Sequence, residues 1–187
     1  MTISINQIKS GLGLRINGEF FMVTEHRHVK PGKGGAFVRA KLKNIRTDQV
    51  LDKTFKPAEK LEEVLLEERK FQNLYRSGDA FHFMDTVSFE ESMVPLDIIG
   101  DTVRFLQDNL EVTAICYNNQ VLKIVLPTFI TAEITQTEPG FKGDTSKAGT
   151  KPATIDAGTQ IQVPLFINIG DRVKIDTRSG TYVERMK

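Results

Sequence analysis

Hydrophobic and polar residues alternate over residues 36–43. Ala36, Val38, Ala40 and Leu42 fall on one face, and Arg39, Lys41 and Lys43 fall on the other. Period-two alternation of this kind marks a half-buried strand, here with a basic outer face. Upstream, Glu19-Phe20-Phe21-Met22-Val23 is rich in strand formers, and the intervening HVKPGKGGAF supplies turn chemistry. The first third therefore predicts a small barrel of hairpins. Residues 59–70, EKLEEVLLEERK, are good helix formers but lie between strand-like segments. They read either as a short helix or as a linker and the first strand of a second domain. AFHFMD alternates again, and Val112 to Cys116, Asn118-Asn119 and Val121 to Leu126 predict a hairpin, because Asn tolerates the positive φ of a tight turn. Between them, residues 98–110 predict a short helix, with Ile99, Val103, Leu106 and Leu110 on one stripe. The last third predicts a strand over 129–134, a long polar loop GFKGDTSKAGTKP, and strands around 160–163, 172–175 and 181–184. Many short strands, Gly-rich turns and almost no helix predict an all-β chain of small barrels.

Composition adds constraints. The 187 residues divide on this pattern into three small domains, 1–63, 64–127 and 128–187. Each is small enough, at ~60 residues, to need support from its neighbours. No apolar run approaches the roughly 18 to 20 residues of a membrane span. The N-terminus lacks the basic start, apolar core and cleavage site of a secretory signal, and a single cysteine, Cys116, excludes an internal disulfide framework. The expected location is the cytoplasm, with no membrane partner. The net charge of +1 hides a segregation: residues 1–62 carry twelve basic and six acidic side chains, and residues 63–127 carry five and eleven. The first third is thus the part suited to a polyanion.

Catalytic chemistry finds little support. His26 and His28 share a strand face, as a two-ligand metal pair would, but a third ligand would have to come from distant His82, Cys116 or a carboxylate. Histidines that are solvated or face phosphate are the simpler reading. Cys116 sits in an apolar strand as a small buried residue would. No GxSxG elbow, HExxH pair or complete phosphate-binding loop is present. The chain reads as a binder, not an enzyme, with no metal and no cofactor. The informative local feature is Lys30-Pro31-Gly32-Lys33-Gly34-Gly35-Ala36-Phe37. Pro31 fixes φ ahead of the turn, and Gly32, Gly34 and Gly35 remove Cβ bulk and permit left-handed backbone. Lys33 is the one long side chain at the tip, an amine able to meet phosphate or carry a covalent extension.

At this hairpin the sequence resembles the bacterial elongation factor P family, and the resemblance runs through the chain. KPGKGGAF precedes the basic strand and KTF at 53–55. HFMD follows at 82–85, and the most specific stretch is KPATIDAGTQIQVPLFINIG at 151–170, with Lys151, Gly158, Val163, Pro164 and Gly170 as its frame. DTRSGTYVERMK closes the match. The resemblance implies an SH3-like first domain and two oligonucleotide-binding (OB) barrels in an L-shaped, tRNA-mimicking arrangement. It also favours linker and strand at 59–70.

Its implied function is that of a monomeric translation elongation factor entering the 70S ribosome between the peptidyl and exit sites, where it relieves stalling at consecutive prolines by positioning the P-site peptidyl-tRNA. Lys33 would be the position covalently modified by a dedicated enzyme and held against the CCA end. Gly143-Asp144-Thr145 would meet the mRNA codon in the E site, Tyr182 and Arg185 would be candidate contacts to the small subunit, and rRNA would be among the partners. The residues alone leave open a second class, a general binder of single-stranded nucleic acid. The acidic middle third and sparse aromatics disfavour it.

Overall fold

The computed structural model describes residues 1–32, 35–139 and 149–186. Lys33, Gly34 and the Gly143-Asp144-Thr145 motif lie outside the described residues. By contact the chain forms two compact units, one of Met1–Glu68 with Ile115–Lys123 and one of Arg69–Ala114 with Ile124–Lys187.

The first unit is built on six strands, β1 (Thr2–Ser4), β2 (Gly13–Ile16), β3 (Glu19–Val29), β4 (Phe37–Asn44), β5 (Val50–Phe55) and β6 (Lys60–Val64). They form one sheet in the order β1-β6-β2-β3-β4-β5. Leu14, Val23, Val38, Leu42 and Phe55 are fully buried at its centre. Residues 59–70 resolve into β6 and the start of the next strand, so the helical alternative fails. Pairing with β1 and β2 turns Leu61 and Val64 into the core and leaves Glu62 exposed. Gly13 is required by close approach, since a Cβ there would lie 2.5 Å from the Val64 carbonyl oxygen. The predicted Asn118-Asn119 turn is present, both residues having positive φ. Near it, the Tyr117 ring lies 5.0 Å from that of Phe20. Lys43 and Lys123 both pair with Asp48.

The second and third sheets share one topology. Strands β7 (Glu67–Ser77), β8 (Ala80–Asp85), β9 (Glu91–Pro95), β10 (Glu111–Tyr117) and β11 (Gln120–Val125) assemble in the order β11-β10-β7-β8-β9. Strands β12 (Phe129–Thr137), β13 (Thr150–Ile155), β14 (Gln160–Pro164), β15 (Arg172–Asp176) and β16 (Thr181–Arg185) assemble as β14-β13-β12-β15-β16. Numbered within its own sheet, each runs 3-2-1-4-5. The edge strands β14 and β16 approach each other and curl the third sheet toward closure. This is the Greek-key, partly open barrel arrangement of an OB fold. Strand β13 was not expected, because Pro152 cannot donate to a ladder. It is tolerated because the β12 pairing ends at Ala153, opposite Thr137, and Pro152 pairs only with β14.

The helix expected over 98–110 is the clearest departure. Only α1 (Leu96–Ile99) is helical, followed by a 3-10 segment, Gly100–Phe105, after which the chain is irregular. Gly100 adopts a φ of 58°, which breaks the α-helix after one turn. After the break Phe105, which lay off the predicted stripe, enters the core of the third sheet with Ile134, Ile155, Val163 and Ile175. Thr159 Oγ1 donates to the Arg104 carbonyl at 2.5 Å, and Gln107 Nε2 to Asp156 Oδ1 at 2.7 Å.

One turn design recurs in all three sheets. Asn44, Asp85 and Asp176 each accept, through Oδ1, the backbone N–H two residues on. Each main-chain carbonyl accepts from the residue four ahead, Asp48, Phe89 or Gly180, and that residue has φ near +60°. Arg178 also grips Asp176, its Nη2 2.7 Å from Oδ2. This bond holds the Asp176 carboxyl at about 2, below its ordinary 3.8.

Two outcomes follow. Phe105→Ala should destabilise the second unit by about 3–5 kcal/mol, the usual cost of emptying a buried phenylalanine site, measured by urea unfolding. Because the folded Asp176 carboxyl titrates below its unfolded value, its stabilisation is complete above about pH 4 and is lost as pH falls toward about 2. Asp176→Asn, which keeps the turn acceptor, should therefore show a shallower fall in melting temperature than the parent across that window.

Candidate functional site

The β3–β4 hairpin carries the site. Its two strands pair from Phe21 opposite Asn44 out to Val29 opposite Phe37, with one register shift at Thr24. Before that shift Phe21 and Val23 enter the core. Beyond it, residues 24–28 of β3 are exposed, while Val38 and Ala40 on β4 stay buried. The bulge thus peels the outer half of β3 off the core, and exposed Lys30, Pro31 and Gly32 follow that half in the chain.

The register sorts the charges into rungs. Glu25 lies opposite Lys41, which lies opposite Asp52 on β5; Lys41 Nζ is 2.9 Å from Glu25 Oε2, a bond that raises the lysine's pKa. Past His26, Ala40 and Lys53, whose side chains alternate to the opposite face, the next rung on the same face is Arg27, Arg39 and Thr54. Two arginines are directly opposed there, and no carboxylate pairs with either among the described residues. Arg39 lies over the Phe37 ring at 5.6 Å. Like charges opposed across strands are destabilising, so this rung is kept at a cost to the fold. Exposed Lys30 extends the same strand. A groove of about 500 Å³ runs beside these residues, lined by Ser10, Glu25, His26, Arg27, Arg39, Ala40, Lys41 and Asp52.

The other face of the hairpin bears His26 and His28, their rings 5.7 Å apart and edge-on, with Ser10 Oγ 3.4 Å from His26 Nδ1. His82 is on the second sheet, where its Nδ1 is 2.5 Å from Glu91 Oε1, and Cys116 is buried. No cluster of three metal-ligating side chains exists among the described residues. At the loop, Pro31, Gly32 and Gly35 are exposed. Neither described glycine takes a positive φ, and a Cβ at Gly32 would meet open space. Their contribution is an unobstructed backbone rather than a left-handed turn.

In the third sheet, Tyr182 packs on the core, and Arg185 lies between Asp171, at 3.8 Å, and the Phe166 ring, at 5.8 Å. Gly100-Asp101-Thr102, which repeats the Gly-Asp-Thr triplet, belongs to the 3-10 segment after α1.

Two arrangements escaped sequence reasoning. The Arg27–Arg39 rung depends on register, which alternation in either strand alone does not set. The second is a cluster on the outer face of β7–β9. Tyr75 stacks on His82 at 4.4 Å, its hydroxyl donates to Glu91 at 3.1 Å, and the bond from His82 holds the Glu91 carboxyl below its usual range. The alternation of AFHFMD marked that face without naming these partners.

Three family models match in chain order: the elongation factor P KOW-like domain over residues 4–61, its OB domain over 66–124 and its C-terminal domain over 130–185. An elongation factor P from Thermoanaerobacter sp. (strain X514) is 45% identical over 184 residues, covering 98% of this chain and 100% of the relative. One from Microcystis aeruginosa is 48% identical over 183 residues, covering 98% and 99%. Among solved structures, a translation initiation factor eIF-5A family protein from Naegleria fowleri matches with a TM-score of 0.53 and 15% identity, over 67% of this chain and 95% of its own. That likeness bears on the fold alone.

Because the two arginines oppose one another, replacing either by threonine should leave stability unchanged or raise it, by roughly 0.2–1 kcal/mol. Chemical denaturation at low salt, where the repulsion is least screened, is the measurement.

Proposed function

The chain belongs to the elongation factor P family and is a translation elongation factor, and on that premise we propose that its basic hairpin works on the ribosome beside the peptidyl-tRNA. The carrying observation is the uncompensated Arg27–Arg39 rung with exposed Lys30 next to it, directly behind the loop that bears Lys33. Cations without carboxylate partners, set across and just beyond the end of one strand pair, suit the phosphate backbone of RNA. The middle third, with its excess of carboxylates, does not.

In this reading residues 1–63, 64–127 and 128–187 act as three domains. The hairpin enters between the peptidyl and exit sites. Arg27, Lys30 and Arg39 hold backbone phosphates, and Lys33, extended by a covalent modification, steadies the CCA end. Pro31, Gly32, Gly34 and Gly35 keep the loop slim enough to approach it. Gly143-Asp144-Thr145 meets the exit-site codon, and Tyr182 and Arg185 face the small subunit. Arg185 is exposed enough to do so, while Tyr182 would act through its outer edge.

Relief of stalling at consecutive prolines follows from positioning. Proline is a poor donor and acceptor, because its ring restricts φ and its nitrogen is secondary. Holding the peptidyl end in a reactive geometry lowers an orientational barrier, an effect worth several kcal/mol and up to about 7–11 in ideal cases. The ribosome makes the bond, and this chain supplies the geometry.

The test is reconstituted translation of a triple-proline message with protein purified from its own host. Wild-type protein should accelerate the stalled step, and no acceleration would refute the reading. Lys33→Ala should abolish most of that acceleration at unchanged melting temperature. The double variant Arg27→Thr, Arg39→Thr should weaken ribosome binding and reduce its dependence on salt, since each lost phosphate contact lowers the slope by about 0.7–0.9.

A further inference from the structure

The three recurrent turns differ at one position. The residue with positive φ is Asp48 in the first sheet, Gly180 in the third and Phe89 in the second, with φ values of 60°, 69° and 59°. Glycine adopts this conformation freely and Asp is several-fold enriched in it, whereas a bulky side chain there is an outlier. Nor does burial compensate, since Phe89 is 72% exposed and its ring contacts no other aromatic or cationic group among the described residues. Two positions earlier, at the crown of the same loop, Val87 is 82% exposed. The turn is closed by its hydrogen bonds to Asp85, and the exposed ring adds little burial to offset the strain. Such outliers persist where the presented group is used.

The surroundings identify the kind of partner. From Ala80 to Pro95 the hairpin carries Asp85, Glu90 and Glu91 and no lysine or arginine. Of the nearest cations, Lys70 reaches Thr113 and lies 3.9 Å from Glu111, and Arg69 faces Asp85. A phosphate backbone would be repelled here. An apolar pocket bordered by basic side chains would be complementary.

We propose that the β8–β9 tip, Val87 and Phe89, is a docking surface that inserts into an apolar, basic-rimmed pocket of a protein, distinct from the RNA-facing hairpin of the first unit. A ring offered on a tight turn fits the pattern in which one buried aromatic dominates an interface. The proposal rests on the ribosomal reading only in where the partner is sought, among ribosomal proteins.

The experiment uses the full chain and ribosomes that hold a peptidyl-tRNA and have an empty exit site. Phe89→Gly removes the ring and relieves the strained φ, so its melting temperature should equal or exceed that of the parent while its affinity falls about ten-fold, the scale of a hot-spot side chain. Val87→Ser should weaken binding in the same direction without unfolding. A photoreactive residue at position 87 should crosslink to a ribosomal protein. Crosslinks to ribosomal RNA alone, or full affinity in both variants, would overturn the proposal while leaving the ribosomal reading intact. Failure of the unaltered protein to bind ribosomes would overturn both.

Discussion

On β4 the side chains of Val38, Ala40 and Leu42 are buried in the first core, while on the facing strand residues 24–28 are exposed. One strand of the hairpin is therefore anchored by packing, and the other is held mainly by its ladder of backbone hydrogen bonds to the anchored one. The arrangement stiffens a long projection without covering it. Were both strands packed, the cations of β3 would be shielded; were neither, a two-stranded ribbon would be marginal in water. The Arg27–Arg39 rung and the groove beside it both depend on this asymmetry.

Much of the architecture was legible in the sequence because alternation on a half-buried sheet is a strong signal. Val38, Ala40 and Leu42 announced their strand, Asn118-Asn119 announced its turn, and the strands around 160–163, 172–175 and 181–184 lie where the pattern put them. The misreadings have physical causes. Residues 98–110 have helical spacing, but Gly100 ends the helix after one turn and Phe105 goes to a different core. Pro152 hid β13, since a proline in a strand is readable only when one knows where the neighbouring strand stops. Residues 59–70 were no misreading: their composition left helix or strand open, the family resemblance favoured linker and strand, and strand pairing that buries Leu61 and Val64 overrides the weak helical propensity.

The candidate site was legible in outline and opaque in detail. The basic character of the first third was visible in the charge count, while Lys33, a long side chain among glycines, lies outside the described residues. What the chain could not reveal was juxtaposition. Arg27 and Arg39 are twelve positions apart, and only the pairing across β3 and β4 makes them neighbours. Tyr75, His82 and Glu91 are joined in the same way by three strands. Conversely, His26, His28, His82 and Cys116, which a residue count might assemble into a metal site, belong to no cluster of three metal-ligating side chains among the described residues.

Phe105 bears on the modularity of the chain. It is contributed by the segment between β9 and β10, yet its ring is part of the hydrophobic interior enclosed by β12 to β16, where a Cβ at Gly180 would lie 3.3 Å from the ring. The boundary near residue 127 is thus a seam in sequence but not in packing. A shortened protein ending there would carry an orphaned aromatic on its surface, and an isolated third barrel would fold around a hole. Fusions, deletions or transplants of either barrel must move residue 105 with the interior it completes, whatever the linker suggests.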